Sequence, residues 1–298
     1  MSCLPAVLRK GDIVRIVAPS GAFDRAEFEA GIRLLEQADL RPVFAAEIFE
    51  RQRYFAGSDT RRQRELDRAL ADPEVCAIWM ARGGYGATRL LPRLDLTTIR
   101  GAQKWWVGFS DATALHAAWA RAGVVSLHAA NVTTLRQWSE ASRAELFDLL
   151  AGERAPHLQG CTLKIGPTVR GPLLGGNLTV LAAMAGTGQL PSFAGAIVLL
   201  EDIGERPYRL DRALNQLIQA GAFHGVRGFA IGQLTDCGDP PGKEEASTTA
   251  IDVVLEVLTP LGHPILADLP IGHEPTSRPA LLGSEWVLDP GRSTLTMA

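Results

Sequence analysis

The sequence predicts an α/β protein of 298 residues, with a parallel sheet in its first half and a smaller α/β part in its second half. Short apolar runs, each ended by a turn rich in glycine or proline, alternate with segments whose apolar residues recur at helical spacing. This alternation favours parallel strands with helices on both faces of the sheet. In such sheets, functional loops gather at the carboxyl ends of the strands.

Residues 1–151 are predicted to form the first domain. Its first strand ends at the turn 19–21 (PSG), and its third strand ends at the glycine loop, which we define as residues 82–86 (RGGYG). Ser58 or Asp59 can cap the second helix, because either side chain can accept a hydrogen bond from a first-turn amide. Strands are predicted over 11–18, 41–45, 75–80, 105–109 and 124–127, and helices over 25–38, 59–71, 111–122 and 140–151.

Residues 169–298 are predicted to form the second domain, after a linker over 152–168 that carries proline, glycine and polar residues without periodicity. This domain begins with the glycine-rich stretch 171–177, which leads into a helix of small residues that ends at 185. Further strands are predicted over 196–200, 228–233, near 265, 280–288 and 293–297, and further helices over 208–220 and 247–258.

Composition narrows the class of protein. A net charge of −3 provides no basic surplus for nucleic acid. The four cysteines, at 3, 76, 161 and 237, form no C-x-x-C pair, which disfavours a zinc site or disulfide framework and fits a reducing compartment. No secretory signal is visible in residues 1–10, and no apolar run approaches the roughly 20 residues that span a bilayer. We therefore expect a cytoplasmic protein without metal, cofactor, nucleic-acid partner or membrane attachment.

The most informative stretch is 107–113 (VGFSDAT), which places Ser110 between a buried strand and a helix. The residues two before and two after it, Gly108 and Ala112, are small, as a sharp strand-to-helix elbow with strained backbone requires. The helix N-terminus also offers unpaired N–H groups where an oxyanion would form. These features outline a nucleophile elbow. An ordinary turn with a serine cap would have the same residues, so this stretch alone leaves both interpretations open.

The glycine loop has three interpretations. It follows a strand, as a phosphate-binding loop does, but it lacks G-x-G-x-x-G spacing and a following lysine–serine pair. Gly83 and Gly84 could instead bring a backbone N–H close to Ser110, which would complete an oxyanion hole together with the N–H of Asp111. The third interpretation is a tight turn that needs positive φ.

A serine nucleophile needs a base. His273 lies in an irregular segment between two prolines, 269–275 (LPIGHEP), which suits a rigidly held imidazole, and His128, after the fifth strand, competes with it. Any one histidine, taken by its local sequence, can equally be structural. The histidines available are at 116, 128, 157, 224, 263 and 273.

The third member of a triad is a carboxylate that orients the imidazole. Glu201 emerges at the end of the buried strand 197–200 and suits that role. Its neighbours Asp202 and Glu205 could hold the role instead, or could pair with Arg206 and Arg209. A solvated acidic strand end remains the alternative.

With these residues in place, the chain resembles the LD-carboxypeptidase family of serine peptidases, also called murein tetrapeptide carboxypeptidases. The resemblance covers essentially the whole chain. It rests on five motifs in order: ARGGYG at 81–86, VGFSDAT at 107–113, GGNLT at 175–179, LLEDIGERPYRLDR at 199–212 and PIGH at 270–273.

The resemblance implies a Ser–Glu–His triad of Ser110, Glu201 and His273, with the amides of Asp111 and Gly84 as the oxyanion hole. It implies a flavodoxin-like or amidotransferase-like parallel α/β domain with the serine and a smaller α/β domain with the other two residues. The family pattern places the active site at the domain interface, usually within a homodimer.

The implied reaction is hydrolysis of the L,D bond before the terminal D-alanine of a peptidoglycan tetrapeptide, through an acyl-enzyme and without a metal. Recognition of a free carboxylate calls for an arginine fork. The candidates are Arg82, Arg206 and Arg278.

Three other functions remain open at this stage. The microcin-immunity branch of the same family uses a similar triad on a peptide–nucleotide conjugate, although this chain has little room for extra substrate-gripping insertions. A non-catalytic module could bind a small anion at the glycine loop and the helix after Ser110. A generic esterase is disfavoured, because its triad normally lies in a single α/β-hydrolase domain.

Overall fold

A computed structural model of the chain describes residues 2–153, 155–239 and 248–298. Over these residues it divides into two compact units. Unit 1 comprises residues 1–155 and 278–283, and unit 2 comprises residues 156–277 and 284–298. The predicted start of the last long helix at 247 lies outside the described residues.

The elements follow one another in chain order and are numbered accordingly. The strands are β1 Ile13–Val17, β2 Arg41–Val43, β3 Val75–Met80, β4 Trp105–Gly108, β5 Ser126–His128, β6 His157–Gln159, β7 Cys161–Lys164, β8 Val169–Asn177, β9 Ile197–Ile203, β10 Gly228–Thr235, β11 Ile265–Ala267, β12 Ala280–Leu282, β13 Glu285–Asp289 and β14 Thr294–Met297. The helices are α1 Arg25–Gln37, α2 Asp59–Ala71, α3 Leu96–Ala102, α4 Thr113–Ala122, α5 Glu140–Leu150, α6 Leu178–Met184, α7 Pro207–Gln219 and α8 Ala250–Leu258.

The sheet of unit 1 has the strand order β12-β5-β4-β3-β1-β2. Five of these strands run parallel, in the order 2-1-3-4-5 of flavodoxin-like folds, and β12 pairs antiparallel with β5. All four residues of β4 are buried, which explains why the strand reads as a continuous apolar run. The predicted parallel α/β class is confirmed for this unit.

The sheet of unit 2 has the strand order β6-β14-β13-β8-β9-β10-β11-β7. Its centre, from β8 to β11, is parallel, and the strands on both sides are antiparallel. The unit is the smaller of the two and mixes helices with strands, as predicted.

The domain prediction differs from the structure at two places. The segment 152–168, predicted as a linker, contributes β6 and β7, whose three or four residues are too few to show periodicity. The single strand predicted over 280–288 is two strands that belong to different units, β12 and β13. Gly283 separates them, because its φ of +91° interrupts extended backbone.

Candidate active site

Ser110 lies two residues after the end of β4 on a sharp turn, with φ at +64°. This left-handed conformation is strained for a residue with a side chain, and it aims the serine away from the line of the strand. Gly108 permits the turn, because a Cβ at that position would lie 2.9 Å from the Cβ of Ala112 and 3.0 Å from the Cβ of Met80. This backbone differs from the extended backbone of an ordinary helix cap, and the role of Ser110 as a nucleophile stays a prediction.

Asn131 also supports the elbow, although no sequence motif marks it. Its side-chain oxygen accepts a hydrogen bond from the Phe109 amide at 3.2 Å, and its Nδ2 lies 3.4 Å from the Phe109 carbonyl oxygen. Asn131 is 1% exposed. An asparagine between a strand and a short turn carries no local signal of this role.

The glycine loop packs against Ser110. A Cβ on Gly83 would lie 3.0 Å from Ser110 Cβ and 3.1 Å from its Oγ, so only a glycine backbone can approach this closely. Gly84 has φ +97°, which favours glycine for conformational reasons as well. The closeness of Gly83 to Ser110 fits the oxyanion-loop interpretation, and the positive φ of Gly84 fits the tight-turn interpretation equally well. The amides of Gly84 and Asp111 stay predictions as oxyanion donors.

The side chain of Asp111 points into the protein and is 2% exposed. Its carboxylate accepts hydrogen bonds from the Ser20 hydroxyl and, at 2.9 Å, from the Ala87 amide. Burial raises the pKa of this carboxyl, and its hydrogen bonds oppose that effect. Two loops at the carboxyl ends of other strands are therefore tied to the residue that follows Ser110.

In unit 2, Glu201 and His273 form a hydrogen-bonded pair although 72 residues separate them in sequence. The imidazole Nδ1–H donates to Glu201 Oε2 at 2.8 Å. The Glu201 side chain is 0% exposed and that of His273 is 10% exposed. A buried carboxylate on Nδ1 selects the tautomer whose Nε2 accepts a proton, as a general base requires.

The neighbouring acids have other partners. Asp202 accepts hydrogen bonds from Asn177 Nδ2 at 2.9 Å and from the amide and hydroxyl of Thr179, so it holds the start of α6. Burial is the largest effect on its carboxyl and raises its pKa. Glu205 pairs with Arg209 at 3.3 Å on the surface. Glu201 is thus the acid of this cluster that pairs with a histidine.

The competing histidines are placed differently. His116 is buried between the Ser126 hydroxyl, 2.8 Å from Nδ1, and the Gly108 carbonyl oxygen, 2.9 Å from Nε2, and burial lowers its pKa to about 3. His128 is 1% exposed within β5, with its ring stacked 6.1 Å from that of His116. His157 lies exposed on β6, and His224 and His263 lie in loops.

The three arginines suggested for carboxylate recognition differ in whether their guanidinium groups are already paired with a carboxylate. Arg278 is already engaged, because its Nε donates to Glu145 at 2.6 Å and its Nη2 binds the other carboxylate oxygen. Arg206 pairs with Asp239 at 3.0 Å. Arg82, the first residue of the glycine loop, is exposed, and one of its Nη atoms donates to the Ala22 carbonyl oxygen at 2.6 Å. Arg82 therefore stays the strongest of the three.

Among the described residues, no three His, Cys, Asp or Glu side chains are grouped so as to hold a metal ion. Within the same ranges, no helix combines the length and the apolar character needed to cross a membrane.

Comparison with known proteins identifies relatives over nearly the whole chain. The model of the LD-carboxypeptidase N-terminal domain matches residues 14–129, and that of the LD-carboxypeptidase C-terminal domain matches residues 170–288. The murein tetrapeptide carboxypeptidase of Pseudomonas aeruginosa is 36% identical over 295 residues, which cover 94% of each chain.

Solved structures agree with this match. The crystal structure of muramoyltetrapeptide carboxypeptidase from Oxalobacter formigenes is similar with a TM-score of 0.85 and 27% identity, over 96% of this chain and 97% of the other. The microcin C7 self-immunity protein MccF has a TM-score of 0.85 at 21% identity, over 99% and 98% of the two chains. At that identity the likeness shows the fold alone.

Proposed function

The chain belongs to the LD-carboxypeptidase family, and we propose that it is a serine carboxypeptidase that releases the terminal D-alanine of murein tetrapeptides. The observation that carries the proposal is the buried Glu201–His273 hydrogen bond of 2.8 Å, in a chain that also holds a serine at φ +64°. A glutamate–histidine pair supplies a base, and an elbow serine supplies a nucleophile. The name of the Pseudomonas relative supports the substrate.

In the proposed reaction, His273 Nε2 takes the proton of the Ser110 hydroxyl as Oγ attacks the scissile carbonyl carbon. The carbonyl oxygen becomes an oxyanion, which the amides of Asp111 and Gly84 stabilise. Glu201 holds the imidazolium in orientation, and that imidazolium then protonates the nitrogen of the departing D-alanine. Water hydrolyses the acyl-enzyme by the same proton path in reverse, and no step needs a metal.

Three finer features are also part of the proposal. Arg82 binds the terminal carboxylate of the substrate, which its exposed position at the start of the glycine loop supports. The enzyme acts as a homodimer, which the family resemblance supports. It acts in the cytoplasm, which the dispersed cysteines at 3, 76, 161 and 237 support.

The test measures D-alanine release from defined tri-, tetra- and pentapeptides, together with labelling by a fluorophosphonate probe. We expect release from the tetrapeptide and labelling of the wild type, and neither for Ser110→Ala. Glu201→Gln should lower kcat by about 10³-fold with little change in the thermal midpoint, because the amide cannot stabilise the imidazolium.

Asp202→Asn is the matched control, since it makes the same change one residue along. It should lower the thermal midpoint through the weakened start of α6 while kcat stays within about threefold of wild type. Equal losses of kcat in the two variants would remove Glu201 from the proposed triad. Turnover of an aminoacyl–nucleotide conjugate in place of the tetrapeptide would transfer the proposal to microcin-type detoxification.

A further inference from the structure

We propose that the Asp111 carboxylate is a positioning residue that holds the glycine loop at its working distance from Ser110. The inference rests on the proposed function, because a serine nucleophile gives the loop its use. It assigns a role to the side chain of Asp111, in addition to that of its backbone amide. The relevant contacts all lie within unit 1.

The carboxylate connects the two loops nearest to the elbow. The Ala87 amide, directly after the glycine loop, donates to Asp111 Oδ2 at 2.9 Å. The Ser20 hydroxyl, from the loop after β1, donates to the same oxygen. Ser20 is 0% exposed, so water does not compete for these bonds.

Arg62 forms a second tether to the same two loops. This guanidinium lies on α2, is fully buried and donates to the carbonyl oxygens of Gly86, at 2.9 Å, and Pro19. A Cβ on Gly86 would lie 2.7 Å from Arg62 Nη1, which leaves no room for a side chain there. Gly86 is thus held by its carbonyl to Arg62, and the Ala87 amide next to it is held by Asp111.

The far end of the glycine loop is the part that touches Ser110. The Gly83 carbonyl accepts a hydrogen bond from the Gly21 amide at 3.1 Å, and the Gly83 backbone packs on the Ser110 side chain. Oxyanion donors work at about 2.7–3.1 Å from the developing charge, and a misplacement of about 1 Å can slow a reaction by about 10². A loop released from Asp111 would therefore weaken transition-state stabilisation more than substrate binding.

Asp111→Asn tests this inference with minimal change of shape. The neutral asparagine oxygen accepts weaker hydrogen bonds than a carboxylate oxygen does, so the Ser20 hydroxyl and the Ala87 amide would be held less firmly. Ser20→Ala removes one donor and is the milder variant. Ser142→Ala is the matched control, because Ser142 is also buried in unit 1 but bonds only locally, to Ser139 at 2.8 Å.

The readout is hydrolysis of p-nitrophenyl acetate and of its thiono analogue, in which sulfur replaces the carbonyl oxygen. Sulfur accepts hydrogen bonds weakly, so the oxo-to-thiono rate ratio reports the contribution of the oxyanion donors. We expect Asp111→Asn to lower kcat/KM for the oxo ester by about 10- to 100-fold, mostly through kcat, and to lower the ratio by about tenfold. Ser20→Ala should shift both in the same direction by about threefold, and Ser142→Ala should change neither.

An unchanged ratio in Asp111→Asn, whatever its overall rate, would overturn the inference, because the loss would then arise at the nucleophile or from the fold. If Asp111→Asn does not fold, the ratio in Ser20→Ala decides by the same criterion. Hydrolysis of the ester tests this inference independently of the proposed murein substrate. Ser110-dependent ester hydrolysis without D-alanine release would refute the murein substrate alone, whereas hydrolysis independent of Ser110 would refute both.

Discussion

At the scale of single residues, burial decides which histidine can exchange protons with a substrate. His116 is held in its neutral form, because burial lowers its pKa from the ordinary 6.5 to about 3. Its Nε2–H can donate to the Gly108 carbonyl and its Nδ1 can accept from Ser126, so the neutral ring satisfies both neighbours. His116 supports β4 below the elbow and is unsuited to act as the general base.

This burial predicts a pH dependence of stability. As pH falls from 7 to 5, His116 gains a proton in the unfolded chain and not in the folded protein. The unfolded state binds more protons, so the free energy of unfolding decreases with falling pH, by about 2 kcal/mol over this interval for one such group. The decrease begins near pH 6.5 and continues toward pH 3.

His116→Asn removes the titrating ring, and urea unfolding at pH 7, 6 and 5 checks the effect. The variant should be less stable than wild type at pH 7 but should lose about 2 kcal/mol less between pH 7 and 5. His157→Asn, at an exposed position of β6, is the control and should keep the decline of the wild type. Parallel pH profiles for wild type and His116→Asn would contradict the assignment.

Residues with a local signal could be predicted from the sequence, and residues that act through distant partners could not. The small neighbours of Ser110 indicate the elbow directly. Arg62, by contrast, lies in a helix with several arginines, and only the tertiary structure shows that it is 0% exposed while Arg64 is exposed. The pairing of His273 with Glu201 likewise joins strand β9 to a loop 72 positions later in the chain, and motif resemblance indicated it where spacing could not.

At the scale of elements, β4 and the turn that follows work as one rigid piece, and Gly108 is its tightest point. Adding one methyl group there would create contacts of 2.9 Å with Ala112 Cβ and with Asn131 Oδ1. We expect Gly108→Ala to lower the free energy of unfolding by about 1–3 kcal/mol, as overpacking does. Because Ser110 would shift with its strand, kcat should fall by about 10².

Gly101→Ala is the matched control, measured alongside by urea unfolding and D-alanine release. Gly101 lies in α3, and a Cβ there would have no neighbour within 4 Å. The alanine should raise the free energy of unfolding by about 0.5–1 kcal/mol, because an alanine loses less conformational entropy than a glycine does when the helix forms. Equal effects of the two substitutions would show that contact geometry does not govern the elbow.

Elements that are long or wholly buried could be predicted, whereas several short elements could not. Strands β3 and β4 are predicted because burial on both faces makes them nearly continuous apolar runs. β7 has an exposed cysteine and three half-buried residues, so its sequence resembles a loop, and its pairing with β11 alone makes it a strand. α3, with seven residues, is likewise too short to show two turns of periodicity.

At the scale of the whole molecule, the late segment 278–283 returns to unit 1 and completes its sheet. β12 pairs with β5 in a register that joins Ala280 to His128 and Leu282 to Ser126. No local pattern distinguishes this short apolar strand from β13, which belongs to unit 2. The sequence therefore predicted a single boundary between the two domains, whereas in the structure the chain returns to unit 1 at 278 and leaves it again after 283.

An ion pair anchors the returning segment. Arg278 binds the Glu145 carboxylate with two nitrogens, across 133 positions of sequence, and the Glu145 side chain is 7% exposed. Removing one partner of a buried pair leaves an uncompensated charge, which costs more than the pair contributes. We expect Arg278→Met to lower the free energy of unfolding by about 2–4 kcal/mol. The double variant Arg278→Met with Glu145→Gln should be more stable than Arg278→Met alone, because the amide of glutamine carries no charge to desolvate. Urea unfolding of the two single variants and the double variant measures this coupling. Arg292→Met is the control, because Arg292 is 83% exposed in its pair with Asp289 and should contribute less than about 0.5 kcal/mol. Additive effects of the two changes would mean that the segment is held by strand pairing alone.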